Sequence, residues 1–120
     1  RINYEYVRNF VDALIACDMV PRKFIYMSSL SAFGKGDEVN HTPIKLTDTP
    51  NPDTNYGKSK LMTENYLASL KDFPYIILRP TGVYGPREKD YLIIMKCIKW
   101  CVDLRAGYSK QLITFILHFK

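Results

Sequence analysis

The sequence has no apolar stretch long enough to cross a membrane. Its longest apolar runs are interrupted by Lys or Asp well short of the ~20 residues that a transmembrane helix needs. No basic segment followed by an apolar run opens the chain, and neither an internal repeat nor a low-complexity tract is present. We therefore expect a cytoplasmic protein with no membrane contact.

Cysteine and histidine, the common ligands of transition metals, are scarce. The 120 residues include three cysteines and two histidines, and no two cysteines have the C-x-x-C spacing of a zinc site. Cys97 and Cys101 are four positions apart, as on one face of a helix, and Cys17 is distant in sequence. We predict reduced, partly buried thiols and no metal site.

The positive charge lacks the distribution of a nucleic-acid binding surface. The chain has 17 Lys and Arg against 12 Asp and Glu, a net charge of +5. The two signs are mixed in every segment, whereas a track for phosphates needs a basic run interleaved with aromatic residues. We predict no nucleic-acid partner, although a mildly basic surface can favour anionic small substrates.

The composition is that of a globular domain, with 47% hydrophobic and 24% charged residues. Helices are predicted over 3–17, 55–70 and 90–104, and strands over 23–28, 75–80 and 112–117. This alternation predicts an α/β fold with a parallel sheet. Two or three parallel strands leave sheet faces and edges uncovered, so we interpret residues 1–120 as a single, incomplete domain.

Hydrophobic spacing and helix-breaking residues set the predicted boundaries. Apolar residues of 3–17 recur every three or four positions, as on one helix face, and Pro21 cannot continue that helix. Asp53 or Thr54 can cap the second helix. Residues 28–53 form a long segment with several prolines, and loops of this length are usually functional or disordered. The glycines of 81–87 predict a further loop.

A tyrosine and a lysine four positions apart stand at the start of the second predicted helix. Helical spacing places Tyr56 and Lys60 on one face. A phenol has an ordinary pKa near ~10, and a fixed cation nearby lowers that pKa by favouring the phenolate. Tyr56 could then exchange a proton with a substrate hydroxyl or carbonyl. The spacing alone is weak evidence, since the chain has nine tyrosines, and a solvated helix face is the alternative.

Three segments in a characteristic order carry a family resemblance: 24–34 (FIYMSSLSAFG), 56–60 (YGKSK) and 78–87 (LRPTGVYGPR). They are similar to a strand followed by Ser-Ser-x-x-Val-Tyr-Gly, to Tyr-x-x-x-Lys, and to Arg-Pro-x-x-Val-Tyr-Gly-Pro. In this order and separation they resemble the extended short-chain dehydrogenase/reductase family, which includes NAD-dependent sugar-nucleotide epimerases and dehydratases. The resemblance implies a partial Rossmann-like doubly wound parallel sheet, the central to C-terminal part of a dinucleotide-binding domain.

The resemblance implies hydride transfer with NAD or NADP and roles for three side chains. Tyr56 would be the acid/base, and Lys60 would lower the pKa of Tyr56 and hydrogen-bond the nicotinamide ribose. Ser29 would orient the substrate oxygen, because it lies five residues before Gly34, as the family serine does before its glycine. Ser28 and Ser31 are the alternatives.

The resemblance also implies cofactor-binding residues after the second predicted strand. Besides Tyr56 and Lys60, they are Pro80, Thr81, Gly82 and Val83. Gly82 stands where many sugar-nucleotide enzymes carry an asparagine that contacts the substrate. This departure gives weight to a hydroxysteroid-dehydrogenase- or flavonol-reductase-like NADP reductase, the alternative to an epimerase or dehydratase acting on a small molecule such as a nucleotide sugar.

One family element has no counterpart among these residues. The family's first strand leads into a G-x-x-G-x-x-G turn that seats the cofactor pyrophosphate at a helix N-terminus, and the six glycines here do not form that fingerprint. We therefore expect incomplete cofactor binding and an inactive isolated chain. The second alternative is a non-catalytic interaction module. In either case the resemblance implies a homodimer in which helices 4–17 and 55–70 pair with their copies.

Overall fold

The computed structural model describes residues 2–37, 40, 42–84, 90–100 and 115–117. The helices and strands are α1 (Ile2–Ala16), β1 (Phe24–Met27), α2 (Asn55–Ser69), β2 (Tyr75–Leu78), β3 (Gly82–Tyr84), α3 (Asp90–Lys99) and β4 (Phe115–Leu117). The chain forms two compact units, residues 1–80 and 81–120. Cys101 and the predicted end of the third helix lie outside the described residues.

The first unit contains a strand–helix–strand arrangement. β1 and β2 pair in parallel, with Phe24 opposite Tyr75 and Met27 opposite Leu78. Two adjacent parallel strands require a crossover connection, and α2 is the helix of that connection. The parallel pairing predicted from the alternation of elements is therefore present, and the partial α/β fold is confirmed for this unit.

The core of the first unit lies between its sheet and its two helices. Side chains alternate between the faces of a strand, and one face packs against α1 and α2. The core consists of Val11, Tyr26, Leu67 and Phe73, packed against Val7, Phe24, Tyr66, Leu70, Tyr75 and Ile77. The opposite face exposes Ile25, Met27, Ile76 and Leu78. Parallel sheets are usually covered on both faces, and this one is covered by described residues on one.

α2 begins directly after one of its two predicted capping residues. Thr54, in extended conformation, is its N-cap, and the Thr54 hydroxyl accepts a hydrogen bond from the Gly57 N–H at 3.0 Å. This bond satisfies one of the unpaired amides of the first turn. Of the two predicted caps, Thr54 is therefore correct and Asp53 is not.

The segment that joins β1 to α2 is partly ordered by backbone contacts. Leu30–Ala32 form a 3₁₀ turn, and Gly34 makes an isolated parallel bridge to Asn51. Gly34 has a φ of +99°, and a Cβ there would lie 2.1 Å from the Asn51 carbonyl oxygen. Only glycine fits this close approach, which returns the chain toward the start of α2.

The second unit corrects one prediction. Residues 81–87 were predicted as a loop, but Gly82–Tyr84 form β3, which pairs in parallel with β4 so that Gly82 lies opposite Phe115. Hydrogen bonding to a strand about thirty residues later in the chain overrides the local turn preference of glycine. α3 exposes the large apolar residues Leu92, Ile93 and Met95. No helix within the described ranges is long and apolar enough to span a bilayer.

Candidate active site

The carboxyl ends of β1 and β2 meet at one edge of the first unit's sheet. The parallel register continues beyond both strands, because the Ser28 N–H donates to the Leu78 carbonyl at 2.8 Å and the Leu30 N–H donates to the Pro80 carbonyl at 2.9 Å. Ligands of open α/β sheets bind at this edge. The serine segment after β1 therefore lies where a substrate would be expected.

Lys60 reaches this edge from α2. Its ammonium group donates a hydrogen bond to the Met27 carbonyl, with Nζ 2.8 Å from the oxygen. The same Nζ lies 5.7 Å from the ring centroid of Tyr56 and 5.0 Å from that of Tyr26, within the range of a cation–π contact. Tyr56 is 48% exposed. The shared helix face predicted from the four-residue spacing is present, and it is accessible.

Burial and charge act on Lys60 in opposite directions. Desolvation lowers the pKa of the Lys60 ammonium, whereas the negative charge of Glu64 raises it. Beneath Lys60, burial raises the pKa of Tyr26, and the nearby Thr63 hydroxyl opposes that shift. The Thr63 hydroxyl donates to the Ser59 carbonyl at 3.1 Å, and no group among the described residues has full hydrogen-bond geometry to the Tyr26 hydroxyl. The Lys60 ammonium thus lies over the Tyr26 ring and is partly shielded from water.

The three serines after β1 have different environments. Ser28 is buried, and its hydroxyl donates to Glu64 Oε1. Ser29 is the N-cap of the 3₁₀ turn; its Oγ accepts from the Ser31 N–H at 3.2 Å and donates to Ser31 Oγ at 3.2 Å. The Ser28 hydroxyl is therefore held by a carboxylate within the protein. That geometry favours Ser29 over Ser28 for contact with a substrate.

A partly buried ion pair lies under the site, and the sequence did not predict it. Arg79 Nε is 3.1 Å from both oxygens of the Glu64 carboxylate, and Arg79 Nη2 is 2.5 Å from Oε2. The Glu64 side chain is 4% exposed. Hydrogen bonding to Glu64 is the main cause that raises the pKa of Arg79. Ser28, Glu64 and Arg79, here called the inner network, join β1, α2 and β2.

The first turn of α2 packs directly on the serine segment. A Cβ at Gly57 would lie 2.1 Å from the Ser31 carbonyl oxygen and 3.0 Å from the Cβ of Pro52. Any larger residue would force the helix away from the 3₁₀ turn. Gly57 therefore allows the first turn of α2, which contains Tyr56, to pack against the segment that contains Ser29.

The other predicted cofactor residues divide between the two units. Pro80 belongs to the first unit, and its carbonyl is bonded to Leu30. Thr81, Gly82 and Val83 belong to the second unit, the last two within β3. Ser29, Tyr56, Lys60 and Pro80 are thus brought into one unit. Among the described residues, no three His, Cys, Asp or Glu side chains form a group that could hold a metal ion.

The first unit is thus a parallel strand–helix–strand arrangement with Tyr56 and Lys60 near the carboxyl ends of its strands. The sequence profile of the NAD dependent epimerase/dehydratase family matches residues 1–103. The chain therefore belongs to the NAD dependent epimerase/dehydratase family. This confirms the family resemblance carried by the three sequence segments.

Individual proteins agree with this assignment. The chain is 35% identical over 100 residues to the UDP-glucose 4-epimerase of Vibrio cholerae, a match covering 80% of this chain and 30% of that protein. The crystal structure of Helicobacter pylori ADP-L-glycero-D-manno-heptose-6-epimerase is similar with a TM-score of 0.58 and 29% identity, over 72% of this chain and 26% of that one.

A second solved structure is also similar. The structure of RMD from Pseudomonas aeruginosa, complexed with NADPH, matches with a TM-score of 0.66 and 25% identity, over 84% of this chain and 36% of that one. The chain therefore spans about a third or less of the length of these relatives. It has the Rossmann-like fold of the part that it matches.

Proposed function

We propose that this chain is the proton-transfer segment of an enzyme that uses NAD or NADP to epimerise or dehydrate a nucleotide sugar. The observation that carries the proposal is the Lys60 ammonium, held by the Met27 carbonyl and placed 5.7 Å from the accessible ring of Tyr56. The names of an epimerase for UDP-glucose and of one for an ADP-heptose support the substrate class. A relative solved with NADPH supports a nicotinamide cofactor.

The residues fit such a cofactor at the edge of the sheet. A bound nicotinamide would accept or supply the hydride. Tyr56 would take or give the hydroxyl proton, and the positive charge of Lys60 would favour its phenolate form. An ammonium has three donors, and the bond to Met27 uses one, so Lys60 retains donors for a ribose hydroxyl. Ser29 would orient the substrate oxygen. The family resemblance also assigns Pro80, Thr81, Gly82 and Val83 to nicotinamide binding.

One alternative accompanies this proposal. Gly82, in place of an asparagine, gives weight to a reductase that resembles hydroxysteroid dehydrogenases or flavonol reductases and uses NADP. Activity toward a panel of nucleotide sugars against steroid and flavonoid ketones separates the two substrate classes.

The isolated chain is expected to bind NAD and NADP only weakly, since it has no glycine-rich turn, and micromolar binding in a calorimetric titration would overturn that expectation.

A homodimer through helices 4–17 and 55–70 is proposed as the assembly, and it would also serve a non-catalytic interaction module. The large apolar side chains of Ile2, Tyr6 and Phe10 lie four positions apart on α1 and are exposed. Such a stripe can pair with its own copy about a two-fold axis. Sedimentation equilibrium tests this assembly, and a chain that is monomeric at every concentration would contradict it.

The catalytic proposal is tested by Tyr56→Phe in a polypeptide that joins this segment to a glycine-rich cofactor turn, such as a chimera with the Vibrio cholerae epimerase. Loss of the phenol is expected to lower kcat by about 10²-fold or more, the usual weight of a general acid/base. Tyr75→Phe, at the amino end of β2 and so at the opposite end of that strand from the site, is the matched control and should leave kcat unchanged. Near-normal turnover of the Tyr56 variant would contradict the assigned role.

A further inference from the structure

We propose that Glu64 is a positioning residue of the candidate active site: its carboxylate ties the ends of both strands to α2 and maintains Lys60 as the cation beside Tyr56. The proposal rests on the proposed function, because it concerns the same site. Glu64 belongs to none of the three segments that carry the family resemblance, and its role follows from its contacts.

The carboxylate of Glu64 is the point at which three elements converge. It accepts hydrogen bonds from Ser28, directly after β1, and from Arg79, directly after β2. Ser28 precedes Ser29, and Arg79 precedes Pro80, so each partner adjoins a residue of the candidate site. A carboxylate held on both sides leaves the two strand ends little freedom to move relative to α2. This contact therefore bears on the placement of the Ser29 hydroxyl.

The charge of Glu64 also bears on Lys60. Glu64 lies four residues after Lys60 on α2, so the two side chains occupy neighbouring positions on one helix face. Lys60 is partly dehydrated over the Tyr26 ring, which disfavours its charged form. Glu64 is the acidic group whose charge counteracts this effect. Without the Glu64 charge, the Lys60 ammonium over the Tyr26 ring would lose its proton more readily.

The other groups around Lys60 do not replace this charge. Tyr26 from β1 and Tyr56 from α2 face the ammonium with their rings, and the Met27 carbonyl is neutral. Arg79 is cationic and bound to the same carboxylate, so it offsets part of the field of Glu64 at Lys60. If Glu64 only stabilised the fold, a neutral hydrogen-bonding side chain could replace it without changing the Lys60 pKa.

Competitive acetylation of the 120-residue chain across a range of pH, read by mass spectrometry, measures the Lys60 pKa. The exposed Lys58 is the internal reference. Glu64→Gln keeps the shape of the side chain and removes its charge, and it is expected to lower the Lys60 pKa, so that Lys60 is acetylated faster relative to Lys58 than in the unsubstituted chain. Ser28→Ala removes a hydrogen bond to the same carboxylate but leaves its charge, so the Lys60 pKa should stay at the wild-type value.

An unchanged Lys60 pKa in a folded Glu64→Gln chain overturns the proposal, as does an equal fall in Ser28→Ala. If Glu64→Gln does not fold, NMR of the unsubstituted chain decides the matter. The Lys60 side-chain resonances should then shift in step with acid titration of the Glu64 carboxyl carbon, and independent titrations overturn the proposal. Neither measurement needs cofactor or turnover, so failure of the catalytic role of Tyr56 would be seen separately.

Discussion

Two polar networks attach α2 to its neighbours, one on each side of the helix. The inner network, defined above, faces the ends of the strands and has a carboxylate that is 4% exposed. The outer network faces α1: the Tyr66 hydroxyl donates to Asp12 Oδ1 at 2.5 Å, and Arg8 Nε lies 3.5 Å from Asp12 Oδ2. Both contain a carboxylate, an arginine and a hydroxyl. The outer carboxylate is 51% exposed.

The difference in exposure changes what similar groups can do. Water and salt screen an exposed pair, which contributes ~0–1 kcal/mol. A buried pair interacts more strongly but is costly to dehydrate, so removing one partner is far more destabilising than removing an exposed one. The inner network therefore constrains geometry at the candidate site, whereas the outer network adds modestly to the contact between two helices.

The largest expected effect comes from breaking the inner pair. Arg79→Met leaves the Glu64 carboxylate buried without its cation, and we expect a loss of about 3 kcal/mol in the free energy of unfolding at pH 7. This is toward the lower end for buried pairs because the Arg79 side chain is 28% exposed.

Urea unfolding measures this loss, and Arg8→Met is the matched control in the outer network. The control should cost ~0.5 kcal/mol or less, because its pair is exposed. Equal losses in the two variants would remove the distinction between the networks.

The next effect tests whether the inner side of α2 is constrained by shape as well as by charge. Gly57→Ala would place a Cβ 2.1 Å from the Ser31 carbonyl oxygen, so we expect a loss of about 2 kcal/mol from overpacking. Lys58→Ala, at the exposed next position, should change stability by no more than ~0.5 kcal/mol. Thermal or urea unfolding compares the two, and a neutral Gly57 variant would mean that the helix can move off the serine segment.

The smallest effect concerns the outer network. Tyr66→Phe removes the hydrogen bond to Asp12, and we expect a loss of about 1 kcal/mol at pH 7. Burial, and then the bond to Asp12, raise the pKa of Tyr66 to about 12, above the ordinary value near ~10. The folded state thus favours the protonated phenol. Its contribution is complete below pH ~10 and is lost as the pH rises toward 12.

The difference in unfolding free energy between the unsubstituted chain and Tyr66→Phe should therefore shrink over that interval, as urea titrations at successive pH values can measure. A difference that stays constant through pH 12 would show that the phenol does not make this bond in solution.

Much of the fold was predictable because its signals are local. The alternation of helices and strands, the cap at Thr54 and the common face of Tyr56 and Lys60 depend on residues within a few positions of one another. These features are present in the structure. Local sequence could not decide between Ser28 and Ser29 as the serine that contacts a substrate. That decision depends on which hydroxyl is hydrogen-bonded to the Glu64 carboxylate, which is distant in sequence. The assigned roles of Ser29, Tyr56 and Lys60 stay predictions.

The α/β class, the family and the helix that carries the candidate catalytic pair were all predictable, because each follows from periodicity or from short motifs. The remaining features depend on how the chain packs. Glu64 meets Ser28, 36 positions earlier, and Arg79, 15 positions later, while β3 depends on a strand that begins at Phe115. Such contacts depend on which surfaces become buried together, and burial is a property of the packed chain that no local pattern encodes.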